Sequence, residues 1–170
     1  MSATQLAEKT RALLMATIKA DIVAELADIR TDRADPQVSS EPPRSYFIFD
    51  GAITYQCPAV FVVVDSIEFP DDQTGPNFVN ARVRTYVSVV VEDREEDKLT
   101  LKTERYQAAL FKILHWRTLE DVPKNVKIFS RILRCEFSPL YTKKRDGGLS
   151  DFRKEVAIEL EVKHFENPTI

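Results

Sequence analysis

Glycine is scarce in this chain, 4 in 170 residues, alongside 2 cysteines, 2 histidines, 2 methionines and a single tryptophan. With so few glycines there is no G-x-G-x-x-G or G-x-x-x-x-G-K-[ST] segment, and a loop whose backbone wraps a phosphate is hard to build. Nucleotide chemistry is therefore disfavoured, and no cofactor is expected. Cys57 and Cys135 lie too far apart for a paired zinc or redox motif, so free thiols in a reducing compartment are expected. His115 and His164 stand in different segments, and nothing in the sequence brings either to a nucleophile and a third orienting group. No apolar stretch approaches the roughly 20 residues that cross a bilayer; the run from Pro58 to Phe69 is shorter and contains Asp65 and Glu68. No membrane partner is expected. The first ten residues, MSATQLAEKT, lack the charged start and apolar centre of a secretion signal, so export by that route is not expected.

Charge is abundant but balanced. Lysine and arginine number 24 against 27 aspartates and glutamates, a formal net charge of -3. A protein that grips nucleic acid as its main task is usually clearly basic, so any DNA contact is expected to be local or transient. The length suits one domain, residues 1–170, that buries about two thirds of the surface of its unfolded chain.

The apolar pattern then places the elements. From Thr4 to about Arg30, Leu6, Leu14, Ile18, Ile22, Leu26 and Ile29 recur at helical spacing in a stretch without glycine or proline. Residues 32–57 form a long irregular excursion, with Pro36, Pro42, Pro43 and Gly51 around the rings of Tyr46, Phe47 and Phe49; the rings either pack on the domain's own sheet or meet a partner. Ala59 to Phe69 is β-branched and aromatic, a strand expected to be largely covered on both faces. From Ala81 to Val91, Val83, Val87, Val89 and Val91 oppose Arg82, Arg84, Tyr86 and Ser88, which predicts a strand with one wet or partner-facing side. A second helix is expected from Lys98 to about Thr118. Two long strands, Val126 to Leu140 and Phe152 to Phe165, follow, turning at Gly147 and Gly148. The predicted fold is α+β: a mostly antiparallel four-stranded sheet, two helices packed on one face, a long loop after the first helix and a C-terminal β-hairpin.

Candidate functional residues are surface groups. The run Glu92, Asp93, Arg94, Glu95, Glu96, Asp97, and the pair Asp71 and Asp72, hold carboxylates that could bind a hard cation, but the spacing fits no EF-hand, and a solvated cap on the second helix explains the run better. Lys143, Lys144 and Arg145 mark the expected hairpin tip, where they could touch phosphates or an acidic surface, or only solubilise it. Together with Tyr46, Phe47, Phe49, Arg82, Arg84, Glu92, Asp93, Arg94 and Glu95 they form the candidate set for a subunit or partner interface. No catalytic and no metal residue is assigned.

The segments TRALLMATIKADIVAEL, PAVFVVVDSIEF, NARVRTYVSVVVED, LKTERYQAALFKILHW, and ILRCEFSPLYTKKRDGG to EVAIELEVKHFE cover most of the chain. In that order they resemble the tail terminator and neck (head-tail joining) proteins of tailed bacteriophages, small α+β subunits of a hexameric ring. The resemblance implies a structural virion protein, made in the bacterial cytoplasm, that caps the tail tube and joins it to the head connector while DNA passes through the lumen without sequence-specific contact. A head-completion adaptor of the same region is the near alternative. A small metal-dependent hydrolase and a stand-alone adaptor that binds a peptide along a sheet edge are the others.

Overall fold

The computed structural model describes residues 3–34, 41–48, 55–70, 79–121, 126–144 and 150–166. Helix α1 runs over Ala3–Asp32, strand β1 over Ser45–Phe47, β2 over Ala59–Glu68, β3 over Val79–Asp93, helix α2 over Glu96–Leu114, β4 over Arg117–Asp121, β5 over Val126–Phe137, β6 over Tyr141–Lys144 and β7 over Ser150–Glu166. Leu6, Leu14, Ile18, Ile22, Leu26 and Ile29 of α1 are all buried. Its exposed side carries Ala12, Ala16, Ala20, Ala24 and Ala27; alanine has the highest helix propensity, so this side sustains the helix without tertiary contacts. In α2 the buried set is Leu99, Thr103, Arg105, Tyr106, Ala109, Leu110, Ile113 and Leu114, with Glu96 and Asp97 in the first turn beside the positive end of the helix dipole.

The sheet corrects the expected fold. Among the described residues it has seven strands instead of four, in the order β1-β2-β3-β7-β5-β4, with β6 also paired to β7. It is mixed, because β1 runs parallel to β2, Ser45 opposite Ala59 and Phe47 opposite Phe61. The expected C-terminal hairpin of two long strands is replaced by three strands. Ser138 still donates its N–H to the Glu155 carbonyl of β7 at 2.9 Å, and the chain leaves the ladder at Pro139 and Leu140, so β5 pairs with β7 over Ile128 to Phe137 and β6 pairs separately with the beginning of β7, Tyr141 opposite Arg153. Proline has no N–H to give to a ladder, which accounts for the interruption. Nor is the 32–57 excursion wholly irregular, since it supplies β1.

Side-chain alternation puts the core on one face. Val83, Val87, Val89 and Val91 of β3, Val156, Ile158, Leu160 and Val162 of β7, Val60 and Val62 of β2, and Ile128 of β5 are fully buried in one cluster with the apolar faces of α1 and α2. His164 continues this inward row at the end of β7; it is fully buried with its Nε2 2.6 Å from the Thr10 hydroxyl of α1. That hydroxyl donates its one proton to the Leu6 carbonyl at 2.8 Å, so Nε2–H must be the donor to Thr10. The second helix ends earlier than expected, and Trp116 takes a left-handed backbone, φ 54°, directly after the capping His115. Glycine normally fills that position; a residue with a Cβ there costs about 1 kcal/mol.

Thr85, on the inward face of β3, is fully buried, and its hydroxyl has no hydrogen-bond partner among the described residues. A buried unsatisfied hydroxyl is destabilising, and valine has nearly the same shape. Thr85→Val is expected to raise stability by about 1 kcal/mol in urea unfolding; a loss of stability would show that the hydroxyl is satisfied.

Candidate interaction surface

The opposite face of the sheet has no helix or strand laid over it among the described residues. Its composition changes from one end to the other. Near β1, Phe47 stacks on Phe61 with centroids 5.1 Å apart, and Tyr55 meets Phe61 edge-on at 5.2 Å. The Arg153 guanidinium lies 5.3 Å from the centre of the Tyr55 ring and forms a salt bridge to Glu92 at 2.6 Å. Tyr86 and Tyr141 add large exposed side chains. Farther along, the register sets Arg84 of β3, Glu161 of β7 and Arg131 of β5 in one row. Arg84 pairs with Glu159 at 3.3 Å, Arg131 with Glu161 at 3.4 Å, and Arg134 with Glu136. Such pairs are half exposed and worth a few tenths of a kcal/mol each. They keep alternating signs in fixed places on the face.

The candidate residues do not gather in one place. Tyr46 turns inward against the core, with Lys19 5.0 Å above its ring, and burial raises its phenol pKa. Phe47 packs on the chain's own sheet. Phe49 and Arg145 lie outside the described residues, as do Asp71 and Asp72. Lys143 and Lys144 are placed on β6 by their pairing with Asp151 and Ser150, although their side chains are not among those described. Arg82 and Arg84 sit on the open face at the far end of β3 from the acidic run, and Arg82 is exposed.

The acidic run is held largely by bases of the same chain. Arg153 binds Glu92, Lys102 binds Asp93, and Lys98 binds Glu95 at 2.6 Å. Asp93 also accepts the Glu95 backbone N–H at 3.0 Å, which shapes the turn that starts α2. Partial burial opposes ionisation of Asp93, but the hydrogen bonds from Lys102 and the Glu95 amide, with the lysine charge, outweigh it and lower its pKa. Glu41, Arg44, Cys57, Glu92, Asp93, Arg94, Lys102 and Asp151 surround an open polar cleft of about 350 Å³. Above it, the buried Tyr106 hydroxyl donates to the Glu41 carbonyl, and burial raises its pKa strongly. Among the described residues no three His, Cys, Asp or Glu side chains are grouped to hold a metal ion.

Sequence reading missed a second patch, at the last turn of α2. Phe111 stacks on His115 at 4.4 Å, His115 meets Trp116 at 5.6 Å, Trp116 meets Phe129 at 5.5 Å, and the Arg131 guanidinium lies 5.9 Å from the Trp116 ring centre. Strand β5 ties this end down. Ser130 donates to the free Leu114 carbonyl at 2.6 Å, and the Ile132 N–H donates to His115 Nδ1 at 3.3 Å. Trp116 is nevertheless 58% exposed. One signal was available: Phe111 falls outside the buried helical positions 106, 110, 113 and 114.

No protein-family model matches the sequence, and no curated protein matches it. Among solved structures, a chain described as "Virion of native gene transfer agent (GTA) particle" is similar to this one at 11% identity and TM-score 0.39, over 88% of this chain and 95% of that chain. A likeness of that size leaves fold and role to be argued from the chain itself. No helix among the described residues is long and apolar enough to cross a membrane.

Because its folded pKa is lowered, Asp93 contributes stability that is present above its unfolded pKa and lost as pH falls through the folded one. Asp93→Asn is expected to reduce stability by about 1–3 kcal/mol at pH 7 and to flatten the acid limb of a stability-against-pH curve measured by urea unfolding. An unchanged acid limb would remove Asp93 from that role.

Proposed function

We propose that this chain is a structural protein of a tailed-phage virion, a tail terminator whose copies form a ring, hexameric in the family it resembles, that caps the tail tube and meets the head connector. One observation carries the reading: a seven-stranded sheet covered by helices on one face presents the other, along most of its strands, to whatever lies outside the chain. That face combines half-buried rings with charges held in place by cross-strand pairs, which suits a surface that meets other subunits. Of the carboxylates offered to a metal, Glu92, Asp93 and Glu95 are engaged instead by Arg153, Lys102 and Lys98. The order of segments supports a place at the tail or neck, with DNA passing through the lumen; a head-completion adaptor of the same region shares these features.

Light scattering after size-exclusion chromatography is expected to give a mass near six times the 19.5 kDa chain, alone or after addition of tail tube protein. A strict monomer at high concentration, with tube and connector proteins present, would end this reading.

A further inference from the structure

The register fixes how charge runs along the open face at the centre of the sheet. From the Val79 end of β3 toward its Asp93 end, the first outward row sets Arg82 opposite Lys163, and the next sets Arg84, Glu161 and Arg131 side by side. In the third row Glu159 stands between Tyr86 and Arg134. The last two rows hold acids alone, Glu136 opposite Ala157 and then Glu155 opposite Val90. Glu68 of β2, opposite Arg82, leaves the first row basic. One end of the face is therefore positive and the other negative. The exposed Arg82 and the half-buried Glu155 carboxylate have no ion-pair partner among the described residues, whereas Arg84, Arg131, Arg134 and Lys163 each have one. Glu155 borders an open groove of about 560 Å³, lined also by Glu136, Phe137 and Pro139. Arg82 lies eight residues along β3 from Val90, about 27 Å from the level of Glu155, and cannot reach that groove within its own chain.

We propose that the open faces of two copies meet about a two-fold axis that crosses the strands at the level of Tyr86, so that the basic end of each face covers the acidic end of the other and Arg82 enters the groove beside Glu155 of the other copy. The occupant is a second copy, chosen by charge. Bases and acids are equal in number across these rows, Glu68 included, which gives a polyanion no hold. Its two ends are opposite in sign, and a face of that kind matches itself when reversed end for end. Lys163 then lies over Glu155 and Arg131 over Glu136, while Tyr86 meets its own counterpart at the centre, where an aromatic anchor contributes most. This inference rests on the reading of the open face as a surface that meets other subunits; an assembly of six copies would contain three such pairs.

The test uses two variants of the full chain, Arg82→Glu and Glu155→Lys, followed by sedimentation velocity over a range of concentrations. Each alone is expected to associate about tenfold or more weakly than the parent protein, because two like-charge contacts replace two opposite ones at every junction. An equimolar mixture, and a chain carrying both substitutions, are each expected to recover association, since both arrangements restore opposite charges. Added salt should weaken the parent assembly. Thermal melts check that the variants fold. If Glu155→Lys does not, Tyr86→Cys is the second probe: mild oxidation is expected to link two chains covalently in that variant and not in the parent protein, and the absence of a link would overturn the axis. Variants that associate as well as the parent, or a mixture and a double variant that stay dissociated, would overturn this pairing and leave the structural reading standing. A parent protein that stays monomeric at high concentration, with tube and connector proteins present, would remove that reading, and this inference with it.

Discussion

Strand β7 is the member on which the rest of the structure depends. It is hydrogen-bonded along one side to β3 from Val79 opposite Glu166 to Asp93 opposite Phe152, and along the other to β6 and then β5. Its inward side chains Val156, Ile158, Leu160 and Val162 are buried in one cluster with the apolar faces of both helices, while Glu159 and Glu161 anchor ion pairs on the outer face. Since alternate residues of a strand point to opposite faces, a slip of one residue in β7 would exchange valines for glutamates across the whole core. The register that buries the core is therefore also the register that arranges the outer charges.

Polar ties then fix what the core leaves free. At one end Asp93, Lys102, Glu92 and Arg153 join the last residues of β3, the start of α2 and the start of β7. At the other, Ser130 and His115 join the last turn of α2 to β5, and Thr10 with His164 joins α1 to the end of β7. Each histidine thus has a structural hydrogen bond. The tie at the end of α2 holds an exposed tryptophan in a left-handed backbone, so its position is set by the structure around it rather than by local preference.

Much of the inner face was legible from residue order, because burial acts on periodicity. The valines of β3 and β7 and the leucines and isoleucines of the helices repeat at the spacing of their elements. The strand count was not legible. β1, SYF, and β4, RTLED, are short, and β4 carries little apolar signal; each is a strand because its backbone pairs with a neighbour, β1 with β2 and β4 with β5. The end of α2 was hidden for a related reason, since a tryptophan stands where glycine would mark the stop. The candidate surface was half legible: charged runs announce themselves, but a patch built from Phe111, Trp116, Phe129 and Arg131 requires α2 and β5 to meet.

Residue order by itself determined which side chains are buried, that α1 and α2 are helices, and that the long strands have one apolar and one charged face, because the cost of leaving apolar groups in water acts locally on every turn and every pleat. Only the tertiary structure decided how many strands join the sheet, that β1 enters parallel, that the last strand is shared by β6 and β5, and that residues from α2, β5 and the turn after α2 form one patch. Pairing of backbones and stacking of rings depend on which segments come within a few ångströms of one another, and that distance is a property of the whole fold.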